Sequence, residues 1–299
     1  MKIDGDHVAV YATSYISTGA NATINGDAVA GLYLTTGANS NVSGGVSAGG
    51  ATTLGALATA ASVCSAGATT LGAGAEGGNV YSGGATTMGA GAIAAAVESG
   101  GAYTGPVITQ ESVVCTPPPE QAGADFTGFL QTMINDTPST NTDSSGNSFP
   151  AEEIASSVSA DETFTAGVYK VNGMLTIASG VTITLDAGNE PGAEFIFNID
   201  SYLAVGADVN VVVVNNNNAR VIWNVGGYAT VGAGANVSGT IMADAYVTMG
   251  VESSVTGSRT ADASGSGFTC DAGGAVYSLT SYVGIGANAT VGSTDGSDC

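Results

Sequence analysis

The segment YISTGANATING, from Tyr15 to Gly26, decides the fold because variants of it recur along almost the whole chain. The N-terminal copies are YLTTGANSNVSG (33–44), ATTLGA (51–56), ATTLGA (68–73) and ATTMGA (85–90). Their steps are 18, 18, 17 and 17 residues between the aligned glycines, Gly19, Gly37, Gly55, Gly72 and Gly89. A period this constant is the signature of a repeat protein.

The same unit returns in the C-terminal half. Its copies there are YLAVGADVNVVV (202–213), YATVGAGANVSG (228–239), YVTMGVESSVTG (246–257) and YVGIGANATVG (282–292). Gly232 and Gly250 are again 18 residues apart, and Gly286 follows after 36, which is two periods. The step of 26 residues from Gly206 to Gly232 predicts a coil with a longer loop.

Within each unit, apolar and polar residues alternate. In Tyr246-Val-Thr-Met249, the valine and the methionine can face inward while the tyrosine and the threonine face outward. After the glycine the alternation starts again around Val237 and Ile24. A period of 17 or 18 residues accommodates about three short strands with their turns, so the sequence predicts an all-β solenoid in which equivalent residues stack on each other.

Composition excludes several classes of partner. Four Lys and Arg residues against 25 Asp and Glu give a formal charge of −21. We therefore expect no nucleic acid and no membrane as partners, since both require basic patches, and we expect a monomer. The four cysteines show no metal-ligand spacing and favour disulfides in a secreted, extracellular protein. Three pairings are possible among Cys64, Cys115, Cys270 and Cys299.

One segment interrupts the repeat. After Cys115-Thr-Pro-Pro-Pro119, apolar residues follow a helical spacing from Phe126 to Ile134, which predicts an amphipathic helix over 120–135 that covers an apolar side of the solenoid. Residues 141–150 have the composition of a surface loop, and the repeat is expected to resume near Val168. We expect one domain over 1–299, with N-terminal coils in 1–114, the helix and loop in 115–150, and C-terminal coils in 151–299.

Several longer segments are distinctive, namely AGVYKVNGMLTI (166–177), AEFIFNI (193–199), VIWNVG (221–226) and SGTIMA (238–243). With STGANATINGD near the N-terminus, they make the chain similar to the large ice-binding (antifreeze) protein family of polar microbes. The resemblance covers roughly 8–291. It implies a right-handed β-helix of triangular section with one long α-helix alongside, secretion, and ice binding through one flat face. It also implies that the N-terminal coils need not stack in sequence order. Two stretches depart from the family pattern, 47–101 and 258–274, and the second leaves the register of the last coils open.

Outward threonines are the candidate site. One position of the unit, which we name the threonine row, contains Ser17, Thr35, Thr53, Thr70, Thr87, Thr230 and Thr248, with Ala204 and Gly284 in two other copies. Strands about 4.8 Å apart, with alternate residues about 6.6 Å apart, would form a regular grid of methyls and hydroxyls. Such a grid can hold water in an ice-like arrangement. The tyrosines two residues earlier are expected to flank it.

A second outward position competes with the first. This mixed polar row contains Thr23, Asn41, Asn236, Ser254 and Thr290. The family's short Thr-Gly-x-Asn pattern occurs nearby at 18–21 and 36–39. We prefer the threonine row because it is more regular. Stacked Thr and Asn ladders also stabilise solenoids without any ligand, so the pattern by itself leaves a purely structural role open.

Catalysis has little support in the sequence. His7 is the single histidine, which excludes Ser-His-Asp, Cys-His and multi-histidine metal sites. The adjacent acids Glu152-Glu153 and Asp161-Glu162 are typical of solvated surface, and no calcium-solenoid motif occurs. We expect no catalytic residue, no metal and no cofactor. The predicted function is adsorption to an ice crystal surface, and the alternative is a secreted structural or adhesive solenoid that binds polysaccharide or a cell surface.

Overall fold

The computed structural model describes residues 2–3, 6–106, 115, 139–142, 148–216, 218–257 and 274–292. These residues form 34 β-strands and no helix. All but five of the strands have six residues or fewer. The helix predicted over 120–135 lies outside the described residues.

The N-terminal half contains fourteen strands of two to eight residues. They are β1 Lys2–Ile3, β2 Asp6–Ala12, β3 Tyr15–Thr18, β4 Thr23–Ile24, β5 Asp27–Ala30, β6 Tyr33–Thr35, β7 Asn41–Ala48, β8 Thr52–Leu54, β9 Thr59–Ser65, β10 Thr69–Leu71, β11 Glu76–Ser82, β12 Thr86–Met88, β13 Ile93–Ser99 and β14 Tyr103–Thr104.

The remaining twenty strands follow residue 139. They are β15 Thr140–Thr142, β16 Ser148–Pro150, β17 Glu152–Glu153, β18 Ser157–Val158, β19 Glu162–Thr165, β20 Gly167–Val171, β21 Leu175–Ile177, β22 Thr182–Asp186, β23 Glu194–Ile199, β24 Leu203–Val205, β25 Asn210–Val214, β26 Arg220–Val225, β27 Ala229–Val231, β28 Asn236–Ser238, β29 Thr240–Ala243, β30 Val247–Met249, β31 Ser254–Thr256, β32 Ala275–Ser278, β33 Val283–Ile285 and β34 Thr290–Val291.

The strands stack in three parallel columns, which confirms the predicted all-β solenoid. Column 1 runs β17-β20-β23-β26-β29-β32-β2-β5 and then through the second halves of β7, β9, β11 and β13. Column 2 is a separate sheet, β18-β21-β24-β27-β30-β33-β3-β6-β8-β10-β12-β14. Column 3 runs β19-β22-β25-β28-β31-β34-β4 and then through the first halves of β7, β9, β11 and β13.

The coils do not stack in sequence order, as the family resemblance implied. The strands β32, β33 and β34 of the last C-terminal coil pair with β2, β3 and β4 of the first N-terminal coil. The chain therefore begins in the middle of the stack and builds to one end at β14. It starts again at the other end with β17 and returns to the middle. Residues 107–151 connect the two ends, about 50 Å apart for twelve coils at the usual strand spacing.

The core lies between the three columns. Its bulkiest residues include Trp223, Phe197 and Phe195, and all three are almost completely buried. Trp223 stacks on Phe197 with ring centroids 4.3 Å apart, and its indole N–H donates to the Ser238 carbonyl at 3.0 Å. The aromatic pair thus fills the wide C-terminal coils while its polar group is satisfied.

The repeated glycine stands at the corner after column 2. A Cβ added to Gly55 would lie 2.5 Å from the backbone carbonyl carbon and oxygen of Gly37 in the adjacent coil. Close approach between coils, rather than an unusual φ, therefore requires glycine here. Two residues later the backbone enters the left-handed region, with φ of 55° at Asn21 and Asn39 and 66° at Gly74. Asn and Gly tolerate this conformation better than other residues, which explains the Gly-Ala-Asn and Gly-Ala-Gly triplets.

The outward side of column 1 is buried in its central part. Met242, Tyr277, Tyr11 and Val29 follow each other in register and point away from the core, yet none is more than 7% exposed. Farther along the same row, Cys64 forms a disulfide with Cys115, while Cys270 and Cys299 lie outside the described residues. This side of the solenoid is apolar and covered.

Three expectations need correction or completion. Within 141–150, β15 and β16 pair antiparallel instead of forming only a loop; strands of three residues are too short to give a periodic signal. The solenoid resumes at β17, some fifteen residues before Val168, because this end coil consists of short polar strands. The departure at 258–274 leaves the register intact, since Thr240 pairs with Ala275.

Candidate functional site

The threonine row occupies the central outward position of column 2. Thr53, Thr70 and Thr87 are direct partners in β8, β10 and β12, and Ser17 and Thr35 precede them in register. Thr230 pairs with Thr248, which pairs with Gly284, and Gly284 pairs with Ser17. All seven residues named from the sequence therefore lie in one continuous row across the seam between the two halves of the chain.

The row extends farther at both ends than the sequence indicated. Thr104 pairs with Thr87 at one end, and Thr176 and Ser157 continue beyond Ala204 at the other. A spacing of 17 residues from Thr87 would have located Thr104. Thr176 was missed because methionine replaces the tyrosine that marks the start of the unit.

The side chains of this row are available to solvent. Ser17, Thr35, Thr70 and Thr87 are exposed, whereas Thr53, Thr230 and Thr248 are half-buried. Within the described part of the chain, no hydrogen bond occupies the hydroxyls of Thr53, Thr70 or Thr87. No outward position in the described strands of column 2 carries a charge. The face is thus a regular sheet of small hydroxyls and methyls.

A ladder of tyrosines flanks part of this face. The rings of neighbouring tyrosines stack with centroids 4.7–5.2 Å apart and interplanar angles of 2–10°, in the order Tyr202, Tyr228, Tyr246, Tyr282 and Tyr15. Desolvation raises the pKa of the Tyr228 hydroxyl above its usual value of 10.0, and the neighbouring Tyr202 and Tyr246 raise it further. The stacking therefore favours the neutral form of Tyr228.

The mixed polar row lies on column 3. Asn236, Ser254, Thr290, Thr23 and Asn41 are consecutive partners there. Many of its polar groups are occupied by neighbours in the stack: Ser254 donates to the Asn236 side-chain oxygen at 2.7 Å, and Thr59 donates to that of Asn41 at 2.6 Å.

Toward both ends, this row loses its uniform character. Thr59 is followed by Glu76 and then by Ile93, which is 58% exposed. At the other end, the exposed carboxylate of Asp161 accepts a hydrogen bond from the Thr182 backbone. Column 3 is therefore a polar face with charged and apolar interruptions.

A family model described as ice-binding-like matches residues 35–265, more than half of the chain. The chain belongs to the ice-binding-like family. The resemblance noted from the sequence is thereby confirmed.

Solved structures support the fold of this family member. It is similar to an ice-binding protein domain from Shewanella frigidimarina, with a TM-score of 0.53, 16% identity and coverage of 97% of this chain and 98% of that chain. It is also similar to an ice-binding protein from an Arctic yeast described for its antifreeze activity, with a TM-score of 0.50, 17% identity and coverage of 95% and 89%. No curated protein sequence matches the chain.

The Thr-Gly-x-Asn pattern has a structural position in this ice-binding-like protein. Thr18 is buried, and its hydroxyl accepts from the Gly37 backbone N–H at 3.0 Å. Asn21 stands at the corner, where its amide donates to the Asn288 side chain at 3.1 Å. The pattern therefore closes the corner between columns 2 and 3 and connects adjacent coils.

The acidic pairs noted in the sequence do not form a site together. Glu152, Glu153, Asp161 and Glu162 are exposed on the end coil. The described residues contain no group of three or more His, Cys, Asp or Glu side chains placed to hold a metal ion. The same residues include no helix long and apolar enough to cross a membrane.

Proposed function

We propose that this member of the ice-binding-like family adsorbs to ice through the outward face of column 2 and thereby inhibits ice growth and recrystallisation. One observation supports this choice above the others. Of the three faces, column 1 is covered over its central part, column 3 includes exposed Glu76 and Ile93, and column 2 alone combines exposure with an uncharged, regular surface.

The physical basis is a lattice match in two directions. Along the stack, row members are separated by about 4.8 Å, and along each strand the outward residues are separated by about 6.6 Å. Threonine supplies both a methyl group and a hydroxyl, and its β-branched side chain has few rotamers. Because the backbone is fixed by hydrogen bonds to the coils on both sides, little entropy is lost on binding and many weak contacts can add up.

We further infer that the protein acts as a secreted monomer, without a cofactor, a catalytic activity, or a nucleic-acid or membrane partner. Support comes from the formal charge of −21 and from the Cys64–Cys115 disulfide. Disulfides persist in oxidising compartments. A net negative charge repels nucleic acids and anionic membranes.

The proposal includes finer features of the fold. We infer a single domain, a right-handed coil of triangular section, and an amphipathic helix over 120–135 on the outward side of column 1. Parallel strands joined by crossovers are right-handed in the great majority of proteins. The buried apolar row through Met242 and Tyr11 needs a cover, and Cys115 is attached to that row at Cys64.

The adhesive alternative would use an aromatic surface. Sugars bind to the faces of aromatic rings, and the tyrosine ladder is the aromatic surface of the described chain. Its inner rings, such as Tyr228 and Tyr246, already stack face to face with their neighbours. This arrangement favours the ice-binding function over polysaccharide binding.

A matched pair of variants tests the choice of face. Thr53 on column 2 and Thr59 on column 3 are the same residue type in consecutive strands, and both are half-buried. We expect Thr53→Tyr to lose most of the thermal hysteresis and recrystallisation inhibition, while Thr59→Tyr retains both. The reverse result would move the site to the mixed polar row. Wild-type protein without either activity at micromolar concentration would end the ice-binding proposal.

A further inference from the structure

Ten of the twelve strands of the column 2 face divide into two unlike halves, and the other two, β18 and β21, lie at the end of the stack beyond Tyr202. Two residues before each member of the threonine row, the outward position is tyrosine in the coils of Tyr202, Tyr228, Tyr246, Tyr282, Tyr15 and Tyr33, which we name the tyrosine half. The same position is alanine in the coils of Ala51, Ala68, Ala85 and Ala102, which we name the alanine half. The two halves meet between β6 and β8.

In the tyrosine half, the rings stand on edge. Neighbouring rings are nearly parallel, and their centroids are separated by 4.7–5.2 Å, about one strand spacing along the stack. Rings lying flat on the sheet would be side by side in one plane and would not stack. The ladder therefore projects from the face as a ridge along Thr230 and Thr248.

The exposure of the threonine row changes along the stack. Beside the stacked tyrosines, Thr230 and Thr248 are half-buried, whereas Thr70, Thr87 and Thr104 are exposed. Near the boundary, Ser17 and Thr35 are exposed and Thr53 is half-buried. Because all of them occupy one register position, the difference comes from their neighbours. A rigid crystal plane can reach Thr70, Thr87 and Thr104 directly but meets the ridge first beside Thr230 and Thr248.

Tyr33 marks the boundary between the tyrosine half and the alanine half. Its ring leans toward the following coil, since a Cβ added to Gly50 would lie 3.4 Å from its Cε1 atom. Tyr33 is 56% exposed, compared with 39% for Tyr15 inside the ladder. The next coil begins the flat surface.

Composition of the row follows the same division. In the alanine half, all four members from Thr53 to Thr104 are threonine. In the other half, the row is interrupted by Ala204, Gly284 and Ser17. Interruptions of this kind remove hydroxyls from the grid where the ridge already limits access.

We propose that ice contact is made by the alanine half alone, through Thr53, Thr70, Thr87 and Thr104 with the alanines beside them, and that the tyrosine ridge sets the edge of the contact area. This inference rests on the proposed function of column 2. The contact area then extends over four coils, about 14 Å along the stack. The tyrosine half serves as the support on which the flat coils are built.

Two tyrosine substitutions at equivalent positions test the division. Thr70→Tyr blocks the alanine half and Thr248→Tyr adds one more ring in the tyrosine half. Both are surface changes in three-residue strands, and circular dichroism and the melting temperature verify folding. We expect Thr70→Tyr to lose most of the thermal hysteresis and Thr248→Tyr to lose clearly less of it. Equal losses would overturn the division while leaving column 2 as the binding face. No loss in either would refute the column 2 face itself.

A second pair keeps the inference testable if one of these variants folds poorly. Ala85→Tyr extends the ridge into the flat half without changing any threonine, and Tyr246→Ala removes a ring from the ridge. Thermal hysteresis is expected to fall with the first variant and to be unchanged or higher with the second. Activity that survives Ala85→Tyr, or that is lost with Tyr246→Ala, would contradict the proposal.

Discussion

Three buried threonines offer a direct test of how this solenoid is stabilised. Thr52, Thr69 and Thr86 are stacked partners on the inward side of column 2, and each is fully buried. Within the described residues, none of their hydroxyls has a hydrogen-bond partner. The equivalent position in other coils is aliphatic, for example Leu34 in the preceding coil and Val247 farther along the stack.

We expect the triple variant Thr52→Val, Thr69→Val, Thr86→Val to be more stable than the wild type. Valine has the shape of threonine and a similar strand preference, so the change removes three unsatisfied hydroxyls without opening a cavity. A buried polar group without a partner costs about 1–3 kcal/mol. The lower limit gives a gain of about 3 kcal/mol in the free energy of unfolding for three sites. For a chain of 299 residues, with an unfolding entropy of about 2.1 cal/mol/K per residue, this gain raises Tm by about 5 °C.

Thermal and urea unfolding of the triple variant would measure this gain. The matched control is Thr53→Val, Thr70→Val, Thr87→Val, which makes the same change one residue along the same three strands on the outward side. Its effect on stability should stay within about 0.5 kcal/mol per site, as for most surface substitutions. An inward triple that is no more stable than the outward one would refute the reasoning and would indicate that buried water satisfies these hydroxyls.

Three further changes test the corners and the ladder. Leu57 has a φ of 57°, and Asn39 occupies the same position of the preceding coil. Leu57→Asn should therefore raise the free energy of unfolding by about 1 kcal/mol. A lower free energy in urea unfolding would mean that the packing of the leucine on Gly74 matters more than its backbone strain. Gly55→Ala should lower the free energy of unfolding by about 1–3 kcal/mol or more, because the new Cβ would lie 2.5 Å from the Gly37 backbone. An unchanged Tm would contradict this close approach between the coils. Because the pKa of Tyr228 is raised in the folded state, the unfolded state loses this proton first, and stability should be constant below pH 10 and fall above it. The stability of Tyr228→Phe should fall less steeply in alkaline unfolding. Identical curves for the variant and the wild type would count against a role for this hydroxyl.

Much of the fold was predictable because a solenoid repeats one short sequence pattern, and the strands and turns that it forms, many times. The spacing of Gly19, Gly37 and Gly55 gave the coil length, and the alternation around Val247 gave the inward and outward sides. The short polar strands of the end coil and the β15–β16 pair were missed, since three residues carry too little periodicity to separate a strand from a loop.

The candidate site was only partly accessible from sequence. Register could be deduced for Thr53, Thr70 and Thr87 because their segments are nearly identical. The preference between the threonine row and the mixed polar row rested on regularity alone. The structure adds the physical difference, since Asn41 and Asn236 accept hydrogen bonds from neighbouring coils whereas Glu76 and Ile93 interrupt the same row.

By itself, the sequence determined the coil and its family, because both depend on residues close together in the chain. Only the tertiary structure decided how the coils meet. Tyr282 and Tyr15 are separated by most of the chain and yet stack at 4.7 Å, because the last C-terminal coil pairs with the first N-terminal one. That non-local pairing creates a single continuous face from two separate sets of repeats, and it brings the tyrosine ridge and the flat alanine half side by side.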